Sequence, residues 1–470
     1  MIGLGWIRST VDNYYPNKPI KFISRSKNQD QTANTSTLPE ILQSAVPELY
    51  QDNYFYINPL LSTGHFQTAY TAINNFEHID HVHYKRRILP IENKTYRVEE
   101  DDIKYDRWEG SSTVALDYVV PESLTDPDHL NFRPSSQTHD LPPRTEYLDP
   151  AKELDLIKDD SKPLLIALHG LSGGSYEAYI RAVLYKITSA PYDFDAVVLN
   201  SRGCANHTIT SPQLYNGLWT NDLRYLINEH IKPKFPNKRI YLIGFSLGGA
   251  ILANYLGQEG SNVYPMIKGS CIVGTPWDFP DSAIHLRESL IGHNVYSPTM
   301  CQNLLKLLNT HYENEGFLKH DKFINDYKMD PSKFKAVKYL KDFDDLFTSK
   351  LFGFNSADEY YRHASPVQRL LKVRVPTVIL SSKDDPITGF RTLPINEVKL
   401  NPYTTLVTTT TGGHLGWFTV SGKRWYPEPI AKLLSELDQN WQVGEVEDEL
   451  DLPVDIDKSW KHDRLVYGML

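Results

Sequence analysis

Gly244-Phe245-Ser246-Leu247-Gly248 spells G-x-S-x-G directly after the apolar run Arg239-Ile240-Tyr241-Leu242-Ile243 and before the small-residue stretch Gly249–Leu256. Strand, tight turn and helix in that order describe a nucleophile elbow, which presents a serine hydroxyl at the top of a sheet. Glycines flank the serine because the turn is strained and the next helix packs close to the strand, leaving no room for a Cβ. The plain alternative is a βα turn that happens to hold a serine. The strand–helix context argues against it. A serine hydroxyl is also a weak nucleophile until a base takes its proton, so a base must be found.

The run Pro376–Leu380 reads as a buried strand and ends in Ser381-Ser382-Lys383-Asp384-Asp385-Pro386-Ile387. A carboxylate therefore sits at the carboxyl edge of a strand, where open α/β sheets build their sites. A second strand, Thr404–Thr410, leads into Gly412-Gly413-His414-Leu415-Gly416. Ser246, Asp385 and His414 then stand in the order nucleophile, acid, base. Asp385 is preferred because Pro386 follows it and apolar Ile387 lies two places on; Asp384 is the alternative. Asp-Asp-Pro alone is an ordinary turn starter, and His414 is one histidine of sixteen. The assignment rests on three loops, each after a predicted strand, in this order. For the developing oxyanion, the strand Pro163–Leu168 runs into His169-Gly170-Leu171-Ser172-Gly173-Gly174. The backbone N–H groups of Leu171 and Leu247 are the expected donors, each worth about 3–4 kcal/mol of transition-state stabilisation. Phosphate binding is the other use of such a loop. No G-x-x-x-x-G-K-[ST] or well-placed G-x-G-x-x-G accompanies this one.

These loops need a scaffold, and the pattern between Leu164 and Trp277 supplies it. Strand Leu164–Leu168, a helix at Tyr176–Thr188, strand Ala196–Asn200, a helix at Thr220–His230, the elbow and strand Ser270–Gly274 alternate. That is an α/β fold, a mostly parallel central sheet with helices on both faces. Residues 1–55 read as a polar N-terminal extension, and Tyr54 to Val120 as a helix with early antiparallel strands at Tyr84–Leu89 and Ser112–Val120. Residues 121–162 read as a Pro- and Asp-rich loop insertion. The catalytic domain spans 56–440, its last helix at Pro429–Leu437, with a solvated acidic tail at 441–470. Residues 278–370 carry helical patterns and many aromatics: Phe317, Phe323, Tyr327, Phe334, Tyr339, Phe343, Phe347, Phe352, Phe354, Tyr360 and Tyr361.

A chain of 470 residues buries a sizeable core. Its net charge of −9 argues against nucleic acid and gives no electrostatic reason for tight binding to an anionic membrane. Cys204, Cys271 and Cys301 form no C-x-x-C pair and no disulfide framework, which favours a reducing interior. No stretch approaches the roughly 18 apolar residues of a transmembrane helix, and Met1–Arg8 fails as a secretory signal. The expected location is cytoplasmic, with peripheral lipid-droplet or membrane attachment through Met1–Ile7 left open. No metal and no cofactor is expected. H-E-x-x-H is absent, and no histidine has Asp five places on, which excludes an H-x-x-x-x-D acyltransferase.

Leu168-His169-Gly170-Leu171-Ser172-Gly173-Gly174-Ser175-Tyr176-Glu177-Ala178-Tyr179-Ile180-Arg181 resembles the signature of one α/β-hydrolase branch, AB-hydrolase family 4. The resemblance continues in Asn200–Ala205, Thr220–Arg224, the elbow, Asp384–Ile387, and Gly412–Phe418 with Gly422–Tyr426. Upstream it includes Gly64-His65-Phe66-Gln67-Thr68 and Thr113–Asp117, so it spans about Pro59 to Leu437. The ending after His414 is most similar to the fungal monoacylglycerol-lipase-like subgroup. The resemblance implies an α/β-hydrolase fold with residues 278–370 as a helical cap over the serine, whose aromatics build an apolar acyl pocket. It implies a serine lipase or esterase acting on small acyl esters, monoacylglycerols first. Medium-chain ethyl ester synthesis, with an alcohol as acyl acceptor, is the alternative. A non-catalytic binding relative is the rival from another class; such relatives usually lose the serine or the histidine, and this chain keeps both.

Overall fold

Aliphatic and β-branched runs become central strands here because helices cover both faces of the sheet, so side chains on either face are buried. The computed structural model describes residues 7–27, 33–74, 76–92, 95–98, 101–104, 112–125, 133–314 and 331–444. Eleven strands form its main sheet: β1 (Arg8–Tyr14), β2 (Tyr54–Tyr56), β3 (His83–Ile91), β4 (Ser112–Val120), β5 (Thr145–Tyr147), β6 (Leu164–Leu168), β7 (Asp195–Asn200), β8 (Ile240–Phe245), β9 (Ile267–Val273), β10 (Thr377–Ser382) and β11 (Thr404–Thr409). Their spatial order is β2-β1-β11-β10-β9-β8-β6-β7-β4-β3-β5. From β11 to β7 neighbours run parallel, and β1 and β4 join this block antiparallel.

Alternate side chains go to opposite faces, as strand geometry requires. Leu165 and Ala167 join one core with the helices Ala178–Ile187 and Pro427–Asn440. Leu164, Ile166 and Leu168 join the other with the helix Leu247–Glu259 and the segment Asn221–Ile231, whose second half is a π-helical turn. Registry then decides which loops meet. Leu168 of β6 pairs with Gly244 of β8, so the glycine-rich loop and the elbow leave the sheet side by side. Ser382 of β10 pairs with Thr409 of β11, so the carboxylate and histidine loops also emerge together. The chain places β7 on one side of β6 and β8 on the other. Such a switch of direction opens a crevice at the carboxyl ends of the strands.

Three stretches differ from expectation. The described residues of 1–55 do not form a polar arm: β1 pairs with β11, and the helix Leu38–Ala45 buries Leu38, Ile41 and Leu42 behind a Thr37/Glu40 capping box. Val11, Ile20 and Phe22 are buried too, yet they stand among so many polar residues that average composition hides them. Met1–Trp6, with most of the proposed membrane-inserting segment, lies outside the described residues. The 121–162 insertion adds the edge strand β5 and buries Glu153 against Tyr118, His230 and Lys234. At the far end, Trp441–Val443 pairs with the strand Lys21–Lys27; the acidic residues beyond 444 lie outside the described residues.

Candidate active site

Ser246 stands at the tip of the β8 turn with φ 50° and ψ −120°, a conformation that costs a non-glycine residue about 1–3 kcal/mol. The strain is held by Ser246 N–H donating to Val273 O at 2.9 Å and Thr275 Oγ1 donating to Ser246 O at 3.1 Å. The flanking glycines are sterically required. A Cβ on Gly244 would lie 2.6 Å from Gly248 O, and one on Gly248 would lie 2.4 Å from His169 O.

The structure brings Asp385 and His414 to this serine. His414 Nε2 lies 2.9 Å from Ser246 Oγ, and His414 Nδ1 lies 2.8 Å from Asp385 Oδ2. An Nδ1–H given to the carboxylate leaves Nε2 free to accept the serine proton. Asp385 Oδ1 accepts the N–H groups of Ile387 at 2.8 Å and Thr388 at 3.1 Å. Burial raises the Asp385 pKa, but the facing imidazole and these hydrogen bonds outweigh it and hold the carboxyl below its usual range. The acid is therefore ionised at neutral pH.

The alternative acid, Asp384, faces elsewhere. Its Oδ1 accepts Gly412 N–H at 3.0 Å, Gly413 N–H at 2.9 Å and the Ser382 hydroxyl at 2.6 Å. It props the loop that carries His414. Helix Gly64–Ile73 grips the same loop: Thr68 Oγ1 accepts His414 N–H at 2.9 Å and donates to Gly64 O at 2.7 Å. Gln67 accepts Phe418 N–H at 2.7 Å and donates to Leu61 O at 2.7 Å. Gly64 is a glycine because a Cβ there would lie 1.9 Å from Asp384 O. Arg424 lies over the rings of Phe76 and Phe418, at 4.8 and 4.7 Å, and donates to Leu415 O at 3.2 Å. These supports went unread in the sequence. The Gly64–Thr68 segment bore on the resemblance, but no periodicity says what it grips.

The glycine-rich loop is fixed in the same manner. His169 accepts Ser201 N–H at Nε2, 3.0 Å away, and donates from Nδ1 to Gly170 O at 2.7 Å. Burial pulls its pKa down to about 4, so it works as a neutral strut. Tyr179 OH accepts Gly170 N–H at 2.9 Å and Tyr215 OH accepts Ser172 N–H at 2.7 Å. Both amides beside Leu171 are thus engaged. Leu171 and Leu247 line one cavity with Ser246.

That cavity, of about 110 Å³, is lined by Leu214, Phe279, Leu286, Met300, Leu304, Leu307, Leu340 and Leu351. Four of the expected aromatics, Phe343, Phe352, Tyr360 and Tyr361, line it. Phe347 packs in the cap core, Phe354 against Tyr360, and Tyr339 stacks on His293. Phe317, Phe323 and Tyr327 lie outside the described residues. Among the described residues no group of His, Cys, Asp and Glu side chains is arranged to hold a metal ion. Among them, too, no helix is long and apolar enough to cross a membrane.

Comparison with known proteins fits this arrangement. A family model described as the alpha/beta hydrolase fold matches residues 163–419, more than half of the chain. The chain belongs to the α/β-hydrolase fold family. Among α/β hydrolases it is 39% identical to a "Monoacylglycerol lipase" of Saccharomyces cerevisiae, over 90% of this chain and 89% of that one. It is 31% identical to "Medium-chain fatty acid ethyl ester synthase/esterase 2" of the same organism, over 85% and 89%. A human "Phospholipase ABHD3" is 33% identical over 55% of this chain and 59% of its own.

Proposed function

We propose that this α/β hydrolase is a serine lipase/esterase that cleaves fatty acyl esters, monoacylglycerols first, with Ser246, His414 and Asp385 as its catalytic triad. The observation that carries the reading is the unbroken relay from Asp385 through His414 to Ser246 in the wall of an apolar cavity. His414 takes the Ser246 proton as Oγ attacks the ester carbonyl, and Asp385 fixes the imidazole tautomer and stabilises the imidazolium. The N–H groups of Leu171 and Leu247 receive the oxyanion. The tetrahedral intermediate collapses, the C–O bond to the alcohol breaks, and His414 returns the proton to the leaving alkoxide. Water, deprotonated by His414, then attacks the acyl-enzyme and releases the acid and Ser246. An alcohol in place of water yields a new ester, which is the medium-chain ethyl ester synthase alternative.

Monoacylglycerol leads the substrate ranking because the relative named for that activity is 39% identical over 90% of the chain. We also propose a cytoplasmic enzyme that meets its substrate at a lipid-droplet or membrane surface. The three cysteines are free and buried, in keeping with a reducing setting, and Leu60, Phe66, Ile73 and Leu290 are exposed apolar side chains suited to such a surface. The purified chain, assayed on monoacylglycerols with and without ethanol, should hydrolyse faster than it forms ethyl esters. The reverse ratio makes acyl transfer its main reaction.

A further inference from the structure

Asp344 is a carboxyl group in the wall of a largely hydrocarbon cavity, and the relay at Ser246 makes no use of it. It opens the π-helical turn Asp344–Thr348 of the cap, next to Phe343, and is 7% exposed. Thr348 Oγ1 donates to its Oδ1 at 2.6 Å and Tyr361 OH donates to its Oδ2 at 2.7 Å. Both partners line the same cavity. A carboxylate offers about four acceptor positions, and these two hydroxyls fill two of them. Burial pushes the acid up to about 6 against the pull of both hydroxyls, so a further donor would stabilise its charged form.

The chemistry narrows what such a group receives. A fatty acyl chain pressed against it would strip its remaining hydration and return no hydrogen bond. A phosphate or carboxylate would be repelled by it. A neutral hydroxyl fits. We propose that Asp344, with Thr348 and Tyr361, forms the subsite for hydroxyl groups on the alcohol portion of the ester, so that the cavity selects acyl esters of neutral polyols over esters of simple alcohols. The inference rests on the ester-hydrolase reading of Ser246. The alcohol that departs when the ester acylates Ser246 and the alcohol that attacks the acyl-enzyme in acyl transfer occupy one place, since the second step is the first run backwards.

A purely structural role is the competing account: Asp344 joins its turn to the helix Ala357–Ala364 through Tyr361. The test compares kcat/KM of wild type, Asp344→Leu and Asp344→Asn on three esters of one acyl length. These are the 1-monoacylglycerol, the methyl ester, and a methyl ester with a hydroxyl on its acyl chain. The ratio of monoacylglycerol to plain methyl ester should fall about ten- to hundredfold in Asp344→Leu, chiefly through KM, and less in Asp344→Asn. A ratio within about twofold of wild type in the variants overturns the subsite. So does a loss that follows the hydroxylated acyl chain instead of the glycerol. If the leucine variant loses every activity, Asp344→Asn decides by the same ratio. A wild type that cleaves none of the three esters removes the hydrolase reading itself, and the subsite with it.

Discussion

The loops at the carboxyl edge of the sheet and the cap above them are held by different forces. Below, hydrogen bonds to the backbone fix each loop: Asp384 and Thr68 hold the His414 loop, Val273 and Thr275 the elbow, Tyr179 and Tyr215 the glycine-rich loop. Above, the cavity-lining part of the cap packs through apolar side chains, and polar ties join the cap to the body at its margins: His311 Nε2 to Gly203 O at 2.9 Å, Tyr296 OH to His65 Nδ1 at 2.9 Å, Gly217 N–H to Tyr360 OH at 2.9 Å and Ser282 Oγ to Thr388 O at 3.0 Å among them. Two of its segments, Gly292–Tyr296 and Asp344–Thr348, are π-helical. The contrast follows from the two tasks. Proton relay demands placement to a fraction of an ångström, whereas receiving hydrocarbon demands only volume and adaptable side chains such as Met300. Edge-loop changes should therefore strike kcat, and cap changes should redistribute substrates.

The sharpest break of that contrast lies at the two neighbouring acids. Asp385→Asn should lower kcat about 10⁴-fold with little change in KM. Steady-state kinetics on a monoacylglycerol measures it, and a loss below tenfold would transfer the acid's role to Asp384. Next comes acid sensitivity of the glycine-rich loop. The folded His169 pKa of about 4 lies below the ordinary 6.5. Below pH 6.5 the unfolded chain gains a proton there that the folded chain refuses, so stability is lost as pH falls towards 4. The expected loss is about 3 kcal/mol across that window. Urea unfolding of wild type and His169→Asn at pH 7 and pH 4.5 checks the sign, since the variant should lack this part of the slope.

Smaller effects separate support from chemistry. Thr68→Val removes the acceptor for His414 N–H and should lower kcat about ten- to hundredfold, with recovery in Thr68→Ser, which restores an acceptor. No recovery would mean that the methyl packing, rather than the hydroxyl, holds the loop. In the cap, Leu304→Trp fills part of the cavity and should shift acyl preference about tenfold towards shorter chains. Rates across a p-nitrophenyl ester series measure this. A uniform drop at every chain length would place Leu304 in the relay's support instead.

What the sequence disclosed follows the same division. The convergence of Ser246, Asp385 and His414 was legible because each follows a β-branched or aliphatic run, and parallel strands deliver successive loops to one edge. Their supports were not legible. Thr68 and His414 stand 346 residues apart, and Asp384 and Gly412 meet across two loops, so no local period links them. β1 escaped notice because it alternates buried Ser9 and Val11 with polar neighbours at the sheet's far side, and a small buried serine does not read as core. In the cap, the aromatic content was plain, while the cavity-lining residues emerged only from how the helix Ser297–Asn314 and the shorter turns after it pack together.

The central claim is that Ser246 carries the acyl group. Peptide mass mapping after a fluorophosphonate or a slow-turnover ester tests it most directly. The account predicts a covalent adduct on the Ser246 peptide of wild type, and neither adduct nor ester turnover above about one part in 10³ with Ser246→Ala. Equal labelling of the two proteins, or an adduct on another residue with ester cleavage intact in Ser246→Ala, would contradict it.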